Sequence, residues 1–224
     1  FFNQMLPSSI GGDAVRIYYL NKRSNSISIA TQGVLLDRFF GVTGLSLLAF
    51  LVLFFIPNSL NDSIMQSGII ISSGVLGLVC IILLLDYLPF SLSKWRIIKG
   101  IKSMSFNGRN AIFSGYSGLT LIILSISIHL ITVLVFIAIS KGMALEISWL
   151  DMLSIIPLIM LLAQIPISIA GWGLREGMMI LGLGYINIHP EQALALSILY
   201  GISLLLVSIP GGLIWLFSYK MKIK

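Results

Sequence analysis

The sequence predicts an all-α protein, a polytopic transmembrane helical bundle with two inverted broken-helix, or re-entrant, motifs. Three observations predict it. Of 224 residues, 57% are hydrophobic and only 10% are charged, and the mean hydropathy is +1.02. A soluble domain carries about 25% charged residues. Apolar stretches recur at about the 20 residues a helix needs to cross a hydrocarbon core of about 30 Å. One motif containing proline, glycine and arginine also occurs twice. This composition excludes an ordinary cytosolic enzyme, a disordered segment and a secreted disulfide scaffold. The single cysteine, Cys80, permits no intrachain disulfide.

Residues 1–224 read as a single integral membrane domain. The chain opens Phe1-Phe2-Asn3 without Met, and the reading expects an upstream segment. Four segments fit membrane spans: Gly33–Ile56, Gly68–Leu88, Ala111–Ser140 and Gln192–Phe217. The third is long, implying tilt or overhang. Between the last two lies Met152–Ile186, apolar but interrupted by Pro157, Pro166, Gly171, Trp172, Gly173, Arg175, Glu176 and Gly177. It is either two short spans or one re-entrant hairpin. Such breaks at membrane depth need protein or a cavity to cover the backbone.

The net charge of +6 sits in short loops between apolar stretches, where it sets orientation rather than binding nucleic acid. Lys94, Arg96, Lys99, Lys102 and Arg109 fall in one acid-free loop, predicted cytoplasmic. Lys22 and Arg23, and Lys220, Lys222 and Lys224, are also predicted inside, which makes the C-terminus cytoplasmic in a bacterial plasma membrane. The loop Pro57–Ser67 has Asp62 and no base, and Lys141 is outnumbered by Glu146 and Asp151. Both stretches are predicted outside. The interrupted region then starts and ends outside, leaving His189 on the outer side.

The repeat is P-x-S-I-x-G-x-x-(V/L)-R. It is carried by the segments 6–16 and 165–175, in Pro7 to Arg16 and Pro166 to Arg175. Each copy precedes a long span, and the two spans run in opposite directions. That is the pattern of an inverted repeat, in which interrupted helices mark a substrate site.

Proline removes a backbone donor and glycine frees φ, so both copies are predicted to break a helix at Pro7, Gly11 and Gly12 and at Pro166, Gly171 and Gly173. Broken helix ends attract anions. Arg16 and Arg175 add planar cationic forks suited to phosphate. The competing reading pairs Arg16 with Asp13, and Arg175 with Glu176 or Asp37, or lets the arginines snorkel. Asp37-Arg38 opens the first span as an interfacial pair or a ligand. Asp86 reads as interfacial.

Ser114, Ser117, Ser125, His129 and Thr132 fall along one helix face. They read as hydrogen-bonding glue between helices or as a polar headgroup path. His129 is either satisfied by a neighbouring Ser or a proton relay. Gly173 and Gly177 suggest close helix packing, and Trp149 and Trp215 interfacial anchors. There is no Walker A, G-x-S-x-G, H-E-x-x-H or acidic metal cluster. No metal, cofactor or ATP-driven pumping is therefore expected.

The stretch Asn3 to Arg16, with Leu36-Asp37-Arg38, resembles the lysylphosphatidylglycerol synthase transmembrane region, also called the flippase-like domain family. Pro166 to Gly177, Pro190-Glu191-Gln192-Ala193 and Pro210-Gly211-Gly212 fit its C-terminal pattern. In bifunctional members a membrane domain of this kind is implicated in flipping aminoacylated phosphatidylglycerol. A separate soluble domain makes that lipid from aminoacyl-tRNA. Stand-alone members are similar to proteins linked to polyprenyl-linked glycans and hopanoids. The resemblance implies a lipid flippase acting without ATP on an anionic or polyprenyl-phosphate lipid. No enzymatic activity is expected, since the soluble domain is not part of this sequence. The alternative is a non-transporting accessory subunit for a glycosyltransferase or lipid-modifying enzyme. The implied headgroup-binding residues are Arg16, Arg175, Asp13, Glu176, Asp37, Arg38 and Ser168, with Arg16 and Arg175 holding the phosphate alternately from either side.

Overall fold

The computed structural model describes residues 2–5, 9–56, 60–87, 96–164 and 172–221. All regular structure among them is helical: α1 (Phe2–Met5), α2 (Ser9–Ser24), α3 (Ile27–Phe55), α4 (Asp62–Leu84, extended by a 3-10 turn to Tyr87), α5 (Arg96–Ile112), α6 (Tyr116–Gly142), α7 (Trp149–Ala163), α8 (Leu174–Gly184) and α9 (Pro190–Met221). Among the described residues, four stretches are long and apolar enough to cross a membrane: Ile27–Phe55, Asp62–Tyr87, Tyr116–Gly142 and Pro190–Leu216. In hydrocarbon only a helix or a closed barrel satisfies its own backbone, so apolar runs of this length fold as helices.

Local chemistry sets the ends. The first span starts at Ile27 rather than the expected Gly33, because Ser26 caps it by accepting from the Ile29 N–H. Asn61 and Ser148 cap α4 and α7 in the same way. The third span is shorter than the expected Ala111–Ser140. Ala111 and Ile112 end α5, the chain turns through Phe113, Ser114 and Gly115, and α6 begins at Tyr116. Gly115 has φ +67°, and a Cβ on Gly118 would lie 1.8 Å from the Ile112 carbonyl oxygen. Only glycines allow so tight a turn.

The helices define two ends. At one, α5 lies against the start of α3 and the end of α4. There Gly108 meets Leu36 and Leu83, and the Gln32 side-chain oxygen accepts from Ser103 Oγ and Asn107 Nδ2. Asp86, expected to be merely interfacial, is tied down at this end by Arg109 and Ser105. At the other end, buried Leu60 joins one cluster with Met152, Leu183 and Ala193. The start of α7, the end of α8 and the start of α9 thus pack into the same core cluster as Leu60. At 1.5 Å per residue, α7 is about 22 Å long and α8 about 16 Å, each short of a crossing. They pack together where Gly182 meets Ile155 and Ile159. Meanwhile α2 runs back along α3, with Asp13 opposite Arg38 and Arg16 opposite Asp37. Its start is level with the middle of α3.

Lipid tails are as apolar as leucine, so helices in a membrane associate through close packing rather than hydrophobic expulsion. Gly44 lies against Ser125, where a Cβ would come within 2.5 Å of the Ser125 Cβ and 2.9 Å of its carbonyl carbon. Phe136 stacks on Tyr200 at 4.2 Å in the core. Outward-facing Ile70, Leu78, Ile81, Ile123, Ile131 and Leu134 remain exposed, as a lipid-facing surface requires.

Two expectations are corrected. Gly11 and Gly12 do not break a helix; both lie inside α2. Gly12 is instead a contact site, since a Cβ there would lie 1.9 Å from Asn3 Oδ1 of α1. Gly173 and Gly177 are not a packing pair, because among the described residues nothing lies within 4 Å of a Cβ on either. Close packing on α8 falls at Gly182. Pro7, Pro166, Ser168 and Gly171 lie outside the described residues.

This packing gives an ordered prediction. Gly44→Ala must push α6 off α3 and should lower stability by about 1–3 kcal/mol. Gly177→Ala meets open space and should leave stability unchanged or raise it by up to about 1 kcal/mol. Thermal unfolding of both variants in detergent checks the order, and equal midpoints would contradict it.

Candidate functional site

The second motif copy builds a buried charge cluster. Gly173, at φ +88°, turns the chain into α8. Its N–H donates to Oε2 of Glu176, which reaches back from the first turn. A carboxylate there satisfies a free donor and meets the positive end of the helix dipole. Glu176 Oε1 then accepts from Arg175 Nη2 at 2.7 Å and from Ser197 Oγ at 3.1 Å. Arg175 Nε also donates to Ser197 Oγ at 3.1 Å. Arg175 is 6% exposed, Glu176 8% and Ser197 fully buried.

The guanidinium lies 4.9 Å from the Trp172 ring centre and 5.4 Å from that of Tyr200, both favourable cation–π distances. Gly201 makes the room: a Cβ there would lie 2.6 Å from Arg175 Nη2 and 2.8 Å from the Trp172 ring. Tyr200 and Gly201 sit near the middle of the Pro190–Leu216 span, so Arg175 is held level with mid-span. Its Nη1 has no protein hydrogen-bond partner among the described residues.

The first copy builds a looser pair of bridges. Arg16 Nη1 donates to Asp37 Oδ2 at 2.7 Å, and Arg38 grips Asp13 in a bidentate manner at 2.9 and 3.1 Å. Arg16 thus pairs across to α3, not with Asp13 on its own helix, because the antiparallel contact sets Asp37 in front of it. Arg175 pairs with Glu176 and not with Asp37. The Arg16 and Asp37 side chains are 50% and 58% exposed, and such a bridge contributes about 0–1 kcal/mol. It opens readily.

A single cavity of about 860 Å³ connects the two clusters. Arg16, Asp37 and Arg38 line one end, Arg175 and Tyr200 the other, and His129 lies between, bonded through Nε2 to the Gly41 carbonyl at 2.9 Å. Apolar side chains, among them Leu124, Ile128 and Leu204, complete the wall. A cavity of this size with a few convergent polar groups matches ligand sites, which span roughly 300–1,000 Å³. Among the described residues, no three His, Cys, Asp or Glu side chains gather as a metal site.

Of the residues expected to bind a headgroup, Arg16, Asp37, Arg38 and Arg175 line this cavity, while Asp13 and Glu176 hold Arg38 and Arg175 from behind. Ser168 lies outside the described residues. The hydroxyls of Ser114 and Thr132 bond carbonyls three or four residues back in their own chain segment, and Thr132 also bonds the Tyr200 side chain, linking α6 to α9. His129 does link helices, through a carbonyl rather than a serine. Sequence reasoning missed Ser197, Tyr200 and Gly201. Their spacing of three and four was the available signal, since it sets them on one face of α9.

The family model for the lysylphosphatidylglycerol synthase TM region matches residues 1–211. The chain belongs to that family. No curated protein and no solved structure matches it. In this family member the matched range contains both motif copies and every residue placed in the cavity above.

Breaking a buried pair leaves an uncompensated charge, at about 3–5 kcal/mol. Glu176→Gln should therefore lower the unfolding midpoint strongly. The double variant Arg175→Gln/Glu176→Gln should be less destabilised than the sum of the single variants, because neither charge is then stranded. A double-mutant cycle by thermal unfolding tests this, and strict additivity would contradict the pairing.

Proposed function

We propose that this chain is a lipid flippase domain that binds the anionic headgroup of a membrane lipid in the cavity and moves it across the cytoplasmic membrane without ATP. One observation carries the reading. The arginines of the two motif copies, far apart in sequence, face one cavity with an apolar wall. Arg16 is half-exposed at one end and receives the phosphate, which its weak bridge to Asp37 releases easily. Arg175 is buried at the other end, with Nη1 turned to no described protein group, and holds the phosphate at mid-depth. Acyl chains lie along the apolar wall. The headgroup is that of an anionic lipid of the polyprenyl-phosphate or phosphatidylglycerol kind; aminoacylated phosphatidylglycerol shares the phosphate but carries offsetting ammonium charge.

In this reading the basic end, with α5 and the C-terminus, faces the cytoplasm. The α7–α8 pair dips in from the outer side as a re-entrant hairpin, and α1–α2 mirrors it from the inner side. Rocking of the two interrupted segments then gives alternating access, as in inverted-repeat transporters. The chain's task is binding and release, not bond making. Oligomeric partners play no part in this scheme, and a partner glycosyltransferase or lipid-modifying enzyme would supply or consume the lipid.

The test is translocation of headgroup-labelled lipids in liposomes, read by an impermeant quencher. Arg175→Ala should slow anionic-lipid transport by about tenfold or more, and Arg175→Lys should not restore it, because the fork and its stacking are lost. Arg16→Ala should slow transport less. Wild-type rates from folded Arg16→Ala and Arg175→Ala proteins would overturn the proposal. Stable copurification with an enzyme and no transport of any lipid would favour the accessory role instead.

A further inference from the structure

We propose that His129 takes up a proton when the cavity binds an anionic headgroup, so that lipid and proton are bound together. The inference rests on the headgroup reading above and extends it to the coupling ion.

The argument begins with charge. Among the described residues, the charged groups lining the cavity or paired to its lining are Arg16 on α2, Arg38 on α3 and Arg175 on α8, balanced by Asp13, Asp37 and Glu176. Three cations face three anions, and the empty cavity is neutral. From α9 the titratable group is the Tyr200 phenol, neutral at physiological pH. From α1 and α7 the cavity receives the uncharged Asn3, Met160 and Gln164. A phosphate monoanion entering this set leaves one net negative charge beside the middle of a membrane span. Net charge there is costly.

The only histidine in the cavity lining can remove it. Position and hydrogen bonding decide its state. A carbonyl oxygen can only accept, so His129 Nε2 carries a hydrogen and donates it to Gly41. In the neutral ring, Nδ1 is then a bare acceptor, and it has no hydrogen-bond partner among the described residues. The same Gly41 contact fixes the ring in the wall of the cavity that Arg16 and Arg175 also line. A proton from water, bonding to the Nδ1 lone pair, changes His129 from neutral to +1 without breaking the Gly41 bond. The bound phosphate supplies the matching negative charge. Histidine is the side chain whose charge changes near neutral pH, and the bound phosphate favours its charged form.

One consequence separates this from simple anion capture. A headgroup of net charge −1, such as phosphatidylglycerol, should bring a proton with it. A zwitterionic headgroup such as phosphatidylethanolamine carries its own compensating ammonium and should not.

The test is isothermal titration of the detergent-solubilised full chain with short-chain phosphatidylglycerol, in two buffers of different ionisation enthalpy. At about pH 7.5 the wild type should take up close to one proton per bound lipid. Short-chain phosphatidylethanolamine should give no uptake. His129→Gln keeps an N–H for Gly41 but cannot titrate, and should bind phosphatidylglycerol with no proton uptake. Binding of phosphatidylglycerol by the wild type without uptake, or equal uptake for both lipids, would overturn the proton proposal and leave the headgroup reading standing. Unchanged uptake in folded His129→Gln would do the same. No binding of phosphatidylglycerol by the wild type would overturn both. The two wild-type titrations need no substitution, so the proposal stays testable even if His129→Gln does not fold.

Discussion

The constraint on which this structure depends is the placing of an arginine level with mid-span. In hydrocarbon an unpaired guanidinium is untenable, and the surroundings of Arg175 answer that demand group by group. Glu176 neutralises it, Ser197 and the Gly173 N–H satisfy the remaining carboxylate and hydroxyl positions, and Trp172 and Tyr200 cover its faces. Each partner imposes a further condition. Glu176 can reach Gly173 only if a helix starts there, so the break after α7 and the charge cluster are one feature. Tyr200 can lie beside the guanidinium only if residue 201 has no side chain.

The two charge clusters solve the same problem at different strengths. The Arg175 pair is buried and held by several groups, whereas the Arg16 bridge is half-exposed and marginal. Under the proposed function, a site that receives a headgroup and then retains it needs such a gradient. Tight pairing at the exposed end would compete with a phosphate, and loose pairing at the inner end would leave a charge unmet when the cavity is empty. The neutrality of the whole set follows from the same physics, and under the proposed function it makes the net charge of a lipid headgroup consequential.

Helix association obeys a separate logic, since burial of apolar area does not distinguish protein from lipid here. Contact falls where side chains are smallest, at Gly44, Gly182 and Gly201. Glycines in the apolar runs therefore carry more information about tertiary structure than the leucines around them. Gly11, Gly12 and Gly177 show the limit of the rule. The first two look like helix breakers but lie within a helix, and Gly177 looks like a packing residue but meets open space.

The sequence by itself determined the membrane class, the four spans to within about six residues, and the family. These are properties of composition, run length and local pattern, and the bilayer thickness turns them directly into structure. Tertiary structure alone decided how the arginines are partnered and that both serve one cavity. Arg16 chose Asp37 over Asp13, three residues away, because helix pairing brought α3 to it. Ser197, Tyr200 and Gly201 joined the site because α9 passes the start of α8. Contacts between helices far apart in sequence depend on the crossing of whole surfaces, and no local pattern records which surfaces meet.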